Sequence, residues 1–183
     1  MCAVMPRYAG GVPRNRTGAT WFCTAATSLS FNPLNRLASV PMAQDLYFLL
    51  LPGFSSMGFI SAIEPLRVAN RFRGELYRWH VLSCEGGAVL ASNGMSVNAE
   101  GGLGALEAGA TLLVVAGFDP LTHVTPALNQ WLRRLDNDGV TLGAIDTGSV
   151  VLAQAGLLDG YRLTLHWEAL EAFKAACAAL LKG

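Results

Sequence analysis

The fold is decided by residues 140–167, VTLGAIDTGSVVLAQAGLLDGYRLTLHW. The first six residues form a short apolar run of the kind that makes a buried strand. Val150, Val151, Ala153, Ala155 and Leu157 then recur at helical spacing after the small residues Thr147, Gly148 and Ser149. A strand that turns sharply at Asp146 into a helix sets an acidic side chain at a strand's carboxyl end and beside a helix amino terminus. Unpaired backbone N–H groups and the helix dipole favour negative charge there. Asp146 is thus either a ligand-facing carboxylate, in the position where many enzymes hold a nucleophile, or the N-cap of the helix that follows.

Working outward, apolar runs and helical periods alternate. Residues 46–51 form an apolar run closed by Pro52-Gly53, and Ile60, Ile63, Leu66 and Ala69 give residues 58–72 helical spacing. Residues 77–84 read as a second strand. Residues 88–97 read as a hairpin around Ser92-Asn93-Gly94, and residues 112–116 as another buried strand. Residues 126–135 follow as a helix, with Leu128, Trp131 and Leu135 packing from one face, and residues 136–139 turn the chain into the strand before Asp146. This order predicts an α/β fold, a doubly wound and mostly parallel sheet covered on both faces, whose ligands bind outside the carboxyl ends of the strands. Three loops should then converge: residues 52–57, 117–123 and 146–149.

Composition agrees and excludes several classes. The chain has 183 residues, 52% of them apolar and 14% charged, enough for one ordinary domain without staples. Thirteen basic residues balance thirteen acidic ones, so no basic field draws this chain onto nucleic acid. Cys2, Cys23, Cys84 and Cys177 form no C-x-x-C pair, which argues against a zinc site or a disulfide framework and for a reducing cytoplasm. No apolar run reaches the roughly 18 residues a membrane span needs. His80 and His123 have no second ligand at metal-binding spacing and read as structural or solvent-facing, so no metal and no cofactor is expected. Gly101-Gly102-Leu103-Gly104 lacks the Lys-Ser/Thr ending of a phosphate loop and reads as a connection.

Residues 1–42 differ from the rest. No Asp or Glu occurs before Asp45, whereas Arg7, Arg14, Arg16 and Arg36 are scattered among glycine, proline, serine and threonine. The segment is expected to be a disordered extension, and residues 43–183 to be the folded part, in which nine basic residues face thirteen acidic ones.

Beyond physical pattern, GAIDTGSVVLAQAGLLDG with LTLHWE, LLLPGFSSMGFISAIEPLRVANR and LLVVAGFDPL resemble the sensor half of GlxA-type, AraC-family transcription regulators. That half is a PfpI-type domain of the flavodoxin-like, class I glutamine-amidotransferase-like superfamily. The likeness covers about residues 45–173 and is greatest to regulators that sense glycine betaine, carnitine or related quaternary ammonium compounds. It implies a cytoplasmic, homodimeric, ligand-sensing domain that reaches DNA only through a helix-turn-helix half. That half is absent from the sequence, and residues 43–183 read as C-terminally incomplete. The superfamily's enzymes carry a reactive cysteine at the elbow where this chain has Asp146. They commonly supply a carboxylate near Gly58, and a histidine at the position of His166.

Without a nucleophile to activate, the resemblance implies binding rather than catalysis. A trimethylammonium group cannot donate N–H bonds and is held by aromatic faces and carboxylates. Phe54, Phe59, Phe118 and Trp167 are the candidate aromatics, and Asp146 the counter-charge. Thr147, His166 and the backbone N–H groups of residues 146–148 are candidate partners for a ligand carboxylate. Two alternatives stay open, a PfpI-like hydrolase or hydratase using Asp146 and His166, and a degenerate dimerisation module.

Overall fold

The computed structural model describes residues 4–6, 43–165, 167, 170, 171, 173 and 174. Four parallel strands form its centre: β2 (Gln44–Leu50), β3 (Tyr77–Leu82), β6 (Thr111–Val115) and β7 (Thr141–Ile145), in the order β3-β2-β6-β7. The register sets Leu46 beside Trp79 and Thr111, and Thr111 beside Thr141. Helices α1 (Ser56–Arg73), α2 (Pro126–Asn137) and α3 (Gly148–Gln154) connect or follow them. A hairpin, β4 (Gly87–Leu90) with β5 (Ser96–Ala99), turns at Ser92-Asn93-Gly94 as the sequence predicts. The doubly wound parallel sheet is therefore the observed architecture.

The strands are apolar where both faces are covered, whereas the amino-terminal parts of β2 and β3 carry Gln44, Asp45, Arg78 and His80. Leu49, Leu51, Leu112, Val114 and Ala116 turn to one side, where Leu128, Trp131, Leu132 and Leu135 of α2 and Val151 and Leu152 of α3 meet them. Phe48, Leu50, Val81, Val115 and Ile145 turn to the other, against Phe59 of α1 and Val89 and Ala91 beside the hairpin. Each fully buried side chain of this size contributes about 1.5–3 kcal/mol relative to exposure. Side-chain caps start the long helices: Ser55 Oγ accepts from Gly58 N at 3.2 Å, and Thr125 Oγ1 from Leu128 N at 3.1 Å ahead of Pro126.

Several details differ from the sequence reading. The second strand ends at Leu82, because Ser83 N instead donates to Gly101 O at 3.1 Å, which gives the glycine-rich connection a structural use. Ile60 does not share the buried stripe of α1; Phe59 is buried instead, and Ile63 and Leu66 pack partly beside it. Three short elements lie outside the predicted pattern: a 3-10 turn at Pro120–His123, and strands β1 (Val4–Pro6) and β8 (Tyr161–Leu163), which pair antiparallel. Apart from Val4–Pro6, the expected disordered extension lies outside the described residues.

Candidate functional site

The strand order reverses at β2 and β6, since the chain moves from β2 outward to β3 and then returns to the other side of β2. Such a switch point splays the loops apart and is where open α/β sheets bind ligands. The loops after β2, β6 and β7 do converge here. Phe54 makes backbone bridges to both Gly117 and Ala91, Gly53 N donates to Leu90 O at 2.8 Å, and the Thr147 hydroxyl donates to the Gly117 carbonyl. Gly117 lies so close to Gly53 that a Cβ would overlap the Gly53 carbonyl oxygen. Glycine at this position is a requirement of loop packing.

At the elbow, Asp146 has φ 55°, a left-handed conformation that costs a non-glycine residue about 1–2 kcal/mol. The surroundings hold it there. Gly148 packs against β6 so tightly that a Cβ would overlap the Val114 carbonyl oxygen, and the wholly buried Ser149 lies beneath, its hydroxyl 3.4 Å from the Asp146 carbonyl. The cap position of α3 falls on Thr147, whose side chain makes no cap bond because it is committed to Gly117. Asp146 is therefore not the helix cap. Its half-buried carboxylate has no hydrogen bond or ion pair among the described residues. A second left-handed non-glycine residue, Asp119 with φ 50°, shapes the neighbouring loop.

The structure separates the candidate aromatics into two groups. Phe54 and Phe59 are core: their rings meet edge to face at 5.8 Å, Phe59 meets Phe48 in the same way at 5.6 Å, and Phe54 is fully buried. Neither offers a face to a ligand, which corrects their assignment to a cage. Phe118, next to the Gly117 that Thr147 anchors, and Trp167 are both largely exposed. His166 lies outside the described residues.

Gly58 lies against the end of β7, where a Cβ would stand 3.0 Å from Ile145 Cγ2. No carboxylate occupies that position, and Glu64, further along α1, is exposed and bonded to Arg67 at 2.7 Å. Two cavities of about 440 and 460 Å3 lie elsewhere, one between Leu121, Asn129, Arg133 and Gln154, the other around Asp45, Tyr47, Arg78 and His80. Neither is lined by Asp146. Among the described residues no group of three or more His, Cys, Asp or Glu is placed to hold a metal.

Residues 44–182 match the model of the DJ-1/PfpI family. The chain belongs to the DJ-1/PfpI family. Within it, 133 residues are 73% identical to the HTH-type transcriptional regulator CdhR of Pseudomonas aeruginosa, covering 73% of this chain and 40% of that protein. The HTH-type transcriptional regulator GlxA of Rhizobium meliloti is 42% identical over 135 residues, 73% of this chain and 42% of that protein. The crystal structure of an AraC family transcriptional regulator from Pseudomonas putida superposes with a TM-score of 0.64 at 29% identity, covering 73% of this chain and 72% of that one. This DJ-1/PfpI chain thus spans about two-fifths of the length of the curated regulators it matches. Its flavodoxin-like fold is that of the family, and the residue at its elbow is Asp146.

Proposed function

We propose that the chain is the ligand-sensing domain of an AraC-type transcription regulator, and that it binds a small quaternary ammonium or amine metabolite such as glycine betaine without transforming it. One observation carries the reading: at the switch point a carboxylate, Asp146, is held on a costly left-handed backbone and has no partner among the described residues. A residue kept in such a conformation points to use by something outside the fold. The position that would supply an acid beside the elbow is glycine pressed on isoleucine, and the elbow has no sulfur, so binding is favoured over catalysis. The names of CdhR and GlxA as HTH-type transcriptional regulators support a regulatory role.

In this reading Asp146 supplies the counter-charge, and Phe118 and Trp167 supply ring faces. Each cation–π contact contributes about 0.5–1 kcal/mol while exposed and about 2 kcal/mol once the ligand excludes water. Thr147 sets the distance between the Asp146 and Phe118 loops, and His166 is assigned to the ligand's carboxylate. DNA contact belongs to the part of the longer regulators beyond this domain, and the active species is a cytoplasmic homodimer.

A thermal-shift series with glycine betaine, carnitine, choline, dimethylglycine and amino acids tests the proposal. A cognate ligand at 100 times its Kd should stabilise the fold by about 2.7 kcal/mol. A series in which no cationic ligand raises the melting temperature would contradict it.

A further inference from the structure

The cavity of about 440 Å3 beside α2 is built from groups that the fold itself leaves unused. It is bounded by the 3-10 turn through Leu121, by α3 through Gln154 and by α2 through Pro126, Asn129 and Arg133. Positions 126, 129 and 133 are three and four apart and so share one face of α2, while Leu128, Trp131, Leu132 and Leu135 carry its core face. Leu121, Val124 and Pro126 make part of the lining apolar, and no Asp or Glu lines the cavity. The volume lies within the range of about 300–1,000 Å3 that holds small molecules.

The polar part of the lining has hydrogen-bonding capacity to spare. Arg133 Nε donates to Ala155 O at 2.8 Å, at the C-cap of α3, which fixes the guanidinium beside the cavity. Its terminal amino groups meet no carboxylate among the described residues, and the Gln154 side chain makes no hydrogen bond among them. Asn129 Oδ1 is buried and receives no donor. Capping α3 accounts for one nitrogen of Arg133 and for neither amide. A guanidinium fork matches a carboxylate, whereas a buried carbonyl oxygen needs an O–H or N–H. One positive charge among apolar neighbours suits a monoanion with a short hydrocarbon body better than a phosphate dianion.

We propose that this cavity is a second ligand site, and that it takes a small hydroxycarboxylate. The carboxylate sits on Arg133 and Gln154, the hydroxyl on Asn129 Oδ1, and the carbon chain against Leu121, Val124 and Pro126. Asp146 does not line the cavity and the charge recognised is opposite in sign, so the inference goes beyond the quaternary ammonium reading and does not depend on it. Titration of 2-hydroxybutyrate and 3-hydroxybutyrate into the full 183-residue chain, followed by heteronuclear NMR, should shift the side-chain amide signals of Asn129 and Gln154 and the Arg133 Nε–H, and leave the backbone signal of Asp146 in place. One of the two should bind at least about fivefold more tightly than butyrate, which lacks the hydroxyl, and at least about tenfold more tightly than 1,3-butanediol, which lacks the charge, or inorganic phosphate. Arg133→Gln and Asn129→Asp should each raise the dissociation constant at least about tenfold. Asn129→Asp keeps the Arg133 bond to Ala155, so it decides the matter if Arg133→Gln loosens α3. Shifts absent from these three side chains would overturn the proposal. So would phosphate or butyrate binding as tightly as both hydroxy acids, or an affinity unmoved by Asn129→Asp.

Discussion

The two ends of the parallel sheet each carry an aspartate, and the two are treated in opposite ways. At the amino end, Asp45 stands beside Arg78 on the neighbouring strand and takes a bidentate bond at 2.9 Å to each oxygen. His80 reaches Asp45 with one ring nitrogen at 3.4 Å and Glu100 with the other at 3.0 Å, and it stacks on Tyr47 at 4.8 Å. The Arg78 guanidinium holds the Asp45 carboxyl below the usual aspartate range. These charges serve one another, tying β2, β3 and the segment after β5. At the carboxyl end, Asp146 sits on a left-handed backbone with its carboxylate unpartnered among the described residues. The difference separates charge that joins strands from charge that no other described residue engages.

The largest expected effects probe what holds the carboxyl end in shape. Phe54→Ala should cost about 3–5 kcal/mol in a denaturant titration, as a fully buried ring, whereas Phe118→Ala should stay within about 0.5 kcal/mol of wild type. Equal costs would erase the distinction between the packed floor and the open rim. Gly148→Ala should cost about 3 kcal/mol, since its Cβ meets a backbone oxygen that cannot step aside. An unchanged melting curve would show that α3 can withdraw from β6. For Asp146→Gly the expectation is a gain of about 1 kcal/mol, because glycine adopts φ 55° without strain. A loss would reveal a stabilising partner for this carboxylate and bring the two aspartates closer in role.

The smallest effect belongs to the amino end. Asp45→Asn should cost less than about 1 kcal/mol, as expected for a surface pair. Because folding lowers the pKa of Asp45, its contribution is fully present above the ordinary value of 3.8 and fades as the pH falls through the lower folded value. Acid titrations of wild type and variant should therefore converge at low pH; parallel curves would show that the pair does not bear on stability.

Much of this was legible in the sequence, for identifiable reasons. Short apolar runs closed by Pro52-Gly53 or turned by Ser92-Asn93-Gly94 announce strands through local chemistry, and their alternation with helical periods implies the parallel sheet. The elbow could be read because a buried strand, an aspartate and small residues stand in succession. What was hidden depends on partners distant in the chain. Phe54 looks like a loop aromatic until its bridges to Ala91 and Gly117 carry it into the core. The need for glycine at 117 and 148 is set by Gly53 and Val114. Strands β1 and β8 lie at opposite ends of the sequence. In α1 periodicity could not choose the buried face, because Ile60 and Phe59 are both apolar and only the sheet decides between them.

The central claim is tested most directly by isothermal titration of glycine betaine and the other quaternary ammonium and amine ligands into wild type and Asp146→Asn. Asparagine keeps the size of the side chain and tolerates the left-handed backbone, but removes the charge. The account predicts micromolar to millimolar binding by wild type and at least a tenfold loss, about 1.4 kcal/mol, in the variant at unchanged melting temperature. Equal affinity in the two proteins, or no heat with any of these ligands, would contradict it.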